Sequence, residues 1–258
     1  VQLTFLGSGT SFGIPVIGCD CGTCASIDPR DSRTRHAALI EHDGRRVLID
    51  TPPELRMQML RSGVTDIDAV WYTHSHADHV HGLDDLRIFS MRHRAPIDVF
   101  GSEVCTRTLA SRFDYIFDPE AKPAEGTTRP EATLHAFRAY EPVDVAGIDM
   151  LPLPVPHGPV EVFGFRAGDL GYITDAKRLP DRTRAALEGV RVLVLNALWF
   201  GNPHPTHFNV EEAVGVAEDI GAEATYLTHL THRLRHADLE SRLPAGILPA
   251  YDGLEVRI

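Results

Sequence analysis

Apolar residues along the chain gather into short runs separated by polar turns. They lie at 3–6, 37–41, 47–49, 69–72, 97–100, 150–155, 162–166, 192–195 and 224–227. The runs are rich in Val, Ile, Leu and Tyr and are bounded by Gly, Pro or Asp, which is the signature of β-strands. Between some of them the apolar spacing becomes helical, over 53–62, 82–91, 103–112 and 209–220. The last of these opens with Asn209 as N-cap and Glu211 and Glu212 in the first turn, where acidic side chains meet the positive helix end.

Strands dominate the first fifty residues, then helices enter, then strands and helices again. A single open parallel sheet would alternate more regularly. The order predicts an α/β protein with two sheets inside and helices outside. Residues 120–130, rich in Pro, Gly and Thr, read as a loop within one domain covering 1–258, and no repeat with a period of twenty to fifty residues is visible.

Composition narrows the function classes. Apolar residues make up 43% of the 258 and charged residues 24%, ordinary values for a globular chain that buries a sizeable core. No apolar run approaches the roughly 20 residues of a bilayer span, and residues 1–6 read as a first strand, without the basic flank of a secretory leader. The formal net charge of −11 opposes a long polyanion, so extended nucleic acid is a poor fit, whereas a small anion held by metal ions is not excluded. Cys19, Cys21 and Cys24 are too close to build a disulfide framework, which points to reduced thiols and a cytoplasmic setting; Cys105 stands alone and reads as a core residue. Fourteen His residues put metal or proton chemistry first.

That chemistry concentrates in His74-Ser75-His76-Ala77-Asp78-His79, placed between a buried-strand pattern and a helix. Imidazole nitrogens and carboxylate oxygens suit zinc, iron or manganese. His74 and His76 alternate around Ser75 and share a face in extended chain, while Asp78 and His79 follow the turn and can address a second ion.

The sequence resembles a metallo-β-lactamase-fold hydrolase. That family places an Asp after an early strand, then H-x-H-x-D-H, then a His, an Asp and a final His, each after a strand. Asp50, the 74–79 segment, His157, Asp175 and His229 reproduce the series in order. The resemblance implies an αββα four-layer sandwich. It implies that His74, His76 and His157 hold one divalent ion (zinc or manganese) and Asp78, His79 and His229 another. Asp175 would bridge the two, Asp50 would orient a ligand through a hydrogen bond, and Asp78 would also count among the catalytic residues.

Within the family the chain is similar to the phosphodiesterase branch that acts on phosphoribosyl cyclic phosphate. That branch carries Cys-x-Cys-x-x-Cys near its N-terminus and T-H-x-x-H near its C-terminus, which implies a structural zinc on Cys19, Cys21, Cys24 and His232. His207, ahead of the 209–220 helix, matches a His found there in the phosphodiesterase and ribonuclease Z branches, and is the candidate general acid or phosphate contact. His204 is a weaker candidate. The Gly-rich 7–13 segment reads as a tight turn beside the site, not a dinucleotide fingerprint. Arg56, Arg87, Arg92, His93 and Arg94 are candidate anion contacts, with a solvated helix face as the leading reading.

The expectation is therefore a phosphodiesterase acting on a small cyclic phosphate or nucleotide-like diester, with a metal-bridging hydroxide as nucleophile. Ribonuclease Z-like processing of transfer RNA is a rival that lacks its extended basic arm here, and a lactonase or thioesterase is another. A homodimer is the assembly that relatives lead one to test for.

Overall fold

The computed structural model describes residues 1–121 and 123–258. The first five apolar runs form β1 (Gln2–Gly7), β2 (Ala37–His42), β3 (Arg45–Ile49), β4 (Ala69–Trp71) and β5 (Ile97–Ser102), and β6 (Ala132–Phe137), outside those runs, follows an irregular stretch. The four later runs form β8 (Ile148–His157), β9 (Val160–Ala167), β11 (Val192–Asn196) and β12 (Ala224–Thr228), and β7 (Val143–Val145), β10 (Leu170–Tyr172), β13 (Ile247–Pro249) and β14 (Glu255–Arg257) are short strands beyond them.

These strands make two seven-stranded sheets, ordered β14-β1-β2-β3-β4-β5-β6 and β13-β12-β11-β10-β9-β8-β7. In each sheet four neighbouring strands, β3 to β6 and β10 to β13, run parallel, and the other pairings are antiparallel. The two sheets therefore repeat one topology, with β14 filling in the first the place β7 fills in the second. A repeat on this scale lies beyond the twenty-to-fifty-residue periods that a motif search covers.

Helices α1 (Leu55–Ser62), α2 (Ala77–Val80), α3 (Arg87–His93), α4 (Glu103–Arg112) and α5 (Asp114–Phe117) pack on the first sheet, and α6 (Asp181–Ala186), α7 (Val210–Ile220) and α8 (His236–Arg242) on the second. Among the described residues no helix is long and apolar enough to cross a membrane. The strand sequences explain the layering. Leu3, Phe5, Ile40, Val47, Ile49 and Trp71 point into the layer between the sheets, against Phe163, Phe165, Tyr172 and Val194. Their neighbours Leu6, Leu39, Leu48, Val70 and Tyr72 point the other way, under the helices. A strand buried on both faces has no polar alternation, so it reads as a continuous apolar run. Trp71 also donates its indole N–H to Phe163 O at 3.3 Å, and Phe163 N donates to Thr73 O at 2.9 Å. These two bonds tie the sheets together at the end of β4.

The helix expected over 82–91 is divided. Leu83–Leu86 is a 3₁₀ turn, because Arg87 N bonds back to Asp84 O and Asp85 O, and α3 starts only at Arg87. Helix α7 begins as its cap predicts: Asn209 Oδ1 accepts from Glu212 N at 2.8 Å while Glu212 Oε2 accepts from Asn209 N at 3.0 Å, a reciprocal capping box. The 120–130 segment is irregular where described, with residue 122 outside the described residues.

Candidate metal centre

Parallel strands present their C-terminal ends along one edge, the usual place for ligands in such sheets. Asp50 lies just beyond β3, Thr73 and His74 beyond β4, Asp175 beyond β10 and His229 beyond β12, while His157 ends β8. β4 is an interior strand, so the 74–79 segment springs from the middle of its sheet rather than from a sheet edge. Asp50, Asp175 and His229 all take left-handed backbone, at φ 61°, 51° and 56°. Such conformations cost about 1–3 kcal/mol each and persist only where the surroundings fix them. Here Asp50 N donates to Trp71 O at 2.9 Å, Leu230 N donates to Ser8 O at 2.9 Å, and Asn196 brackets Ala176 by accepting from its N at 2.7 Å and donating to its O at 3.2 Å.

The hydrogen bonds assign the imidazole tautomers. Thr73 Oγ1 gives its only proton to Asp50 Oδ2 at 2.8 Å, so at 3.1 Å it accepts from His74 Nδ1–H. His79 Nδ1–H donates to Asp50 Oδ2 at 2.7 Å, and His157 Nδ1–H to Thr206 O at 3.1 Å. His74, His79 and His157 are thus held from outside through Nδ1 and turn Nε2 inward. His74 Nε2 lies 2.9 Å from His76 Nδ1, and ligand atoms of His74, His76 and His157 all fall within 4.8 Å of one another.

Asp175 is the hub of the remainder. Its Oδ2 is 3.3 Å from His79 Nε2, 3.6 Å from His74 Nε2 and 3.7 Å from His207 Nε2, and its Oδ1 is 3.2 Å from His229 Nδ1. Asp78 Oδ2 lies 3.5 Å from His79 Nε2. His74, His79 and Asp175 form a second close triad and His157, Asp175 and His207 a third; Asp78 and His229 border these triads without joining one. His79 Nε2, His207 Nε2 and His229 Nδ1 are buried without a hydrogen-bond partner. Buried polar nitrogens left unpaired around one carboxylate are costly unless a cation satisfies them. The residues present fit divalent ions.

Charge tells the same story. Burial pushes His74 well below its ordinary value, His229 down to about 4, and His157 downward, which keeps them neutral and able to donate lone pairs. Burial pushes Asp175 up, but His229 and His79 outweigh it and hold the carboxyl well below the usual range. Burial pushes His79 down, and Asp175, Asp50 and Asp78 together outweigh it and hold a proton on that ring. The carboxylates therefore concentrate enough negative charge at the centre to retain a cation, and in a metal-free protein that cation is a proton on His79.

A second cluster joins the Cys-rich loop to the segment after His229. His232 Nδ1 lies 3.2, 3.6 and 3.7 Å from the sulfurs of Cys19, Cys21 and Cys24. Val16 N donates to Cys24 Sγ at 3.3 Å and Cys24 N to Cys21 Sγ at 3.5 Å. Hydrogen bonding, led by the Cys24 amide, brings Cys21 down to about 6, while burial drives Cys24 up to about 11. Three sulfurs and one nitrogen in this arrangement match a closed tetrahedral zinc set. Cys105 lies on the buried face of α4, its thiol pushed up to about 12 by burial.

The Gly-rich turn runs alongside the centre. Leu230 and the turn exchange bonds through Ser8 O and Thr10 N, and a Cβ on Gly7 would sit 2.0 Å from Arg35 O. Arg87, Arg92 and His93 pair with Asp84, Thr65 O and Asp66 on the outer helices. Two contributors escaped the sequence reading. His36, fully buried, lies 2.9 Å from Tyr172 Oη and backs the rings of His79 and His229 at 5.5 and 6.0 Å. Thr73 fixes His74. Neither has a motif spacing; the only signal for His36 is a histidine immediately before an apolar run.

A family model for the beta-lactamase superfamily domain matches residues 45–230. An octanoyltransferase of Porphyromonas gingivalis is 38% identical over 263 residues, covering all of this chain and 52% of that protein, so the chain spans about half the length of this relative. A diphosphatase from the PhnP family superposes with a TM-score of 0.91 at 41% identity, covering 100% of this chain and 97% of that one. The Zn(2+)-bound PqqB of Methylobacterium extorquens superposes over the full length of both chains with a TM-score of 0.77 at 20% identity, a likeness of fold alone.

Proposed function

Since the chain belongs to the beta-lactamase superfamily, we propose that it is a metal-dependent hydrolase of small phosphodiesters, built as one domain over residues 1–258. The observation that carries this reading is the set of inward Nε2 atoms on His74, His79 and His157 around the Asp175 carboxylate, each ring fixed from outside. His74, His76 and His157 hold one divalent ion, zinc or manganese. Asp78, His79 and His229 hold the other, with Asp175 between them. Bound there, two ions supply an activated water and positive charge for the phosphoryl oxygens. Asp50 keeps the His79 tautomer through its 2.7 Å bond. His207, 3.7 Å from Asp175 and 2.9 Å from Thr206 Oγ1, stands where it can protonate a leaving alkoxide or meet the phosphate. The Cys19, Cys21, Cys24 and His232 cluster holds a structural zinc that anchors the loop carrying His229.

The neighbouring PhnP-family diphosphatase supports phosphoryl rather than carboxyl chemistry. The net charge of −11 favours a small substrate over transfer RNA, and a cytoplasmic setting and a homodimer belong to the same proposal. Acyl chemistry is favoured only by the octanoyltransferase relative, of which this chain spans 52%. A panel of bis-p-nitrophenyl phosphate, cyclic nucleotides, ribose cyclic phosphate, a lactone and an octanoyl thioester separates the two. Phosphodiester turnover that needs added Zn or Mn is expected; thioester or lactone turnover without it refutes the reading.

A further inference from the structure

The planar lining does not stop at the metal centre. Residues 197–209 connect β11 to α7, and along them the His207 ring lies 5.1 Å from His204, which meets Trp199 edge-on at 5.4 Å. The Arg233 guanidinium lies over the Trp199 ring, 4.5 Å from its centroid. A ladder of rings thus leads from Asp175 outward and ends on a half-buried indole and an exposed arginine.

Trp199 has no place in the core. Leu198 before it is buried and Phe200 after it packs against the core under α7, but the indole does neither. It is nonetheless held. Its Nε1–H donates to Asn202 O at 2.8 Å, Val210 N donates to Trp199 O at 2.9 Å, and Asn209 Nδ2 donates to Gly201 O at 2.5 Å. The partner side is fixed too: Thr231 Oγ1 donates to Leu198 O at 2.5 Å and accepts from Arg233 N at 3.3 Å, and Arg233 follows His232 of the Cys cluster. A large aromatic surface fixed in this way, outside the core and beside the site, loses little freedom when a ligand binds.

We propose that Trp199 and Arg233 form a stacking ledge for a nucleobase, so that the substrate is a phosphodiester or diphosphate with a nucleoside arm. The inference rests on the phosphodiester reading above and narrows it. A guanidinium stacked on an indole presents a flat cationic surface to a base and a charge to a phosphate. Base stacking of ordinary strength is worth about five- to 150-fold in affinity. His204 and His207 span the interval between ledge and metal centre, where the sugar and phosphate would lie.

The test compares binding of adenosine 5′-monophosphate and ribose 5-phosphate to the metal-loaded protein, by calorimetry and by quenching of tryptophan fluorescence. The nucleotide is expected to bind at least about tenfold more tightly. Trp199→Ala should bring the ratio near one with ribose 5-phosphate affinity and metal content unchanged, and Trp199→Phe should keep most of the preference. Arg233→Met, a change at an exposed side chain, should lower nucleotide affinity several-fold and serves if Trp199→Ala misfolds. Equal affinities in the wild type, or a ratio that survives Trp199→Ala, would overturn the ledge. Hydrolysis of simple diesters without any base preference sinks the ledge alone. Nucleotide binding through Trp199 without diester hydrolysis sinks the phosphodiesterase reading and supports the ledge.

Discussion

Asp50→Asn is the sharpest probe of the centre because it keeps the side chain's shape while removing its charge and one of its two acceptor oxygens. Asp50 is fully buried and accepts three bonds: Oδ1 from Thr73 N at 2.9 Å, and Oδ2 from Thr73 Oγ1 at 2.8 Å and His79 Nδ1 at 2.7 Å. Asn has the same shape and tolerates the φ of 61°. Its single oxygen can serve only one of the two positions. With that oxygen toward Thr73 N, the amide NH₂ faces the His79 Nδ1–H, donor against donor. The ring escapes by moving its proton to Nε2, the atom 3.3 Å from Asp175. For that atom to bind a metal the ring must return its hydrogen to Nδ1, against the amide NH₂, where the wild-type ring meets a carboxylate. Loss of an outer hydrogen bond of this kind weakens metal affinity about 10- to 100-fold, or about 1.4–2.7 kcal/mol. The chelator-competition titration should become biphasic, with the ion on His74, His76 and His157 held as before and the other weakened. Activity should recover at high metal concentration. Wild-type affinity for both ions would refute the claim that Asp50 sets the His79 tautomer.

Three further outcomes are expected. His207→Ala should lower turnover about 10²- to 10⁴-fold with metal content unchanged, the range of a lost general acid; metal loss, measured by elemental analysis, would make His207 a ligand, as its closeness to Asp175 and His157 also permits. In zinc-stripped protein, iodoacetamide should alkylate Cys21 with a rate that rises with pH about a midpoint near 6, and zinc should suppress it; an unreactive thiol at pH 7 would count against the cluster. Metal-free protein should melt highest at about pH 6.5, because below it the unfolded chain protonates His74, His157 and His229, rings that burial holds neutral in the folded protein. Asp175, held low, contributes stability above the ordinary carboxylate value that is lost as pH falls. His79, held high, contributes stability below the ordinary imidazole value that is lost as pH rises through its folded value. Added zinc should stabilise increasingly with pH as it replaces the His79 proton, and pH-independent melting of the metal-free form would contradict this electrostatic account.

Residues that answer to local chemistry are legible in the chain itself. The runs that become β3, β4 and β11 are apolar because both faces are covered, and Asn209 with Glu212 marks the start of α7 by a cap that needs no tertiary partner. The series from Asp50 to His229 could be ordered by motif, and those side chains do meet. What escaped depends on the whole fold. β7, β10, β13 and β14 are three residues each and exist only because a longer neighbour pairs with them. β6 ends its sheet half-exposed, with Thr133 and His135 interrupting the apolar pattern. His36 serves the site from just before β2 through Tyr172, and Thr73 fixes a tautomer through its hydroxyl oxygen; neither contact has a sequence spacing.

The doubled topology gives the centre a division of labour. Asp50 and Asp175 leave corresponding strands, β3 and β10, with the same left-handed turn. One scaffold thus displays a carboxylate twice, from opposite sides of the cleft. The second copy lies directly against the inward nitrogen of His79, and the first meets that ring only at its outer nitrogen. Two aspartates in equivalent places of one repeated frame thus do different work, one holding a ring in place and the other standing among the inward nitrogens.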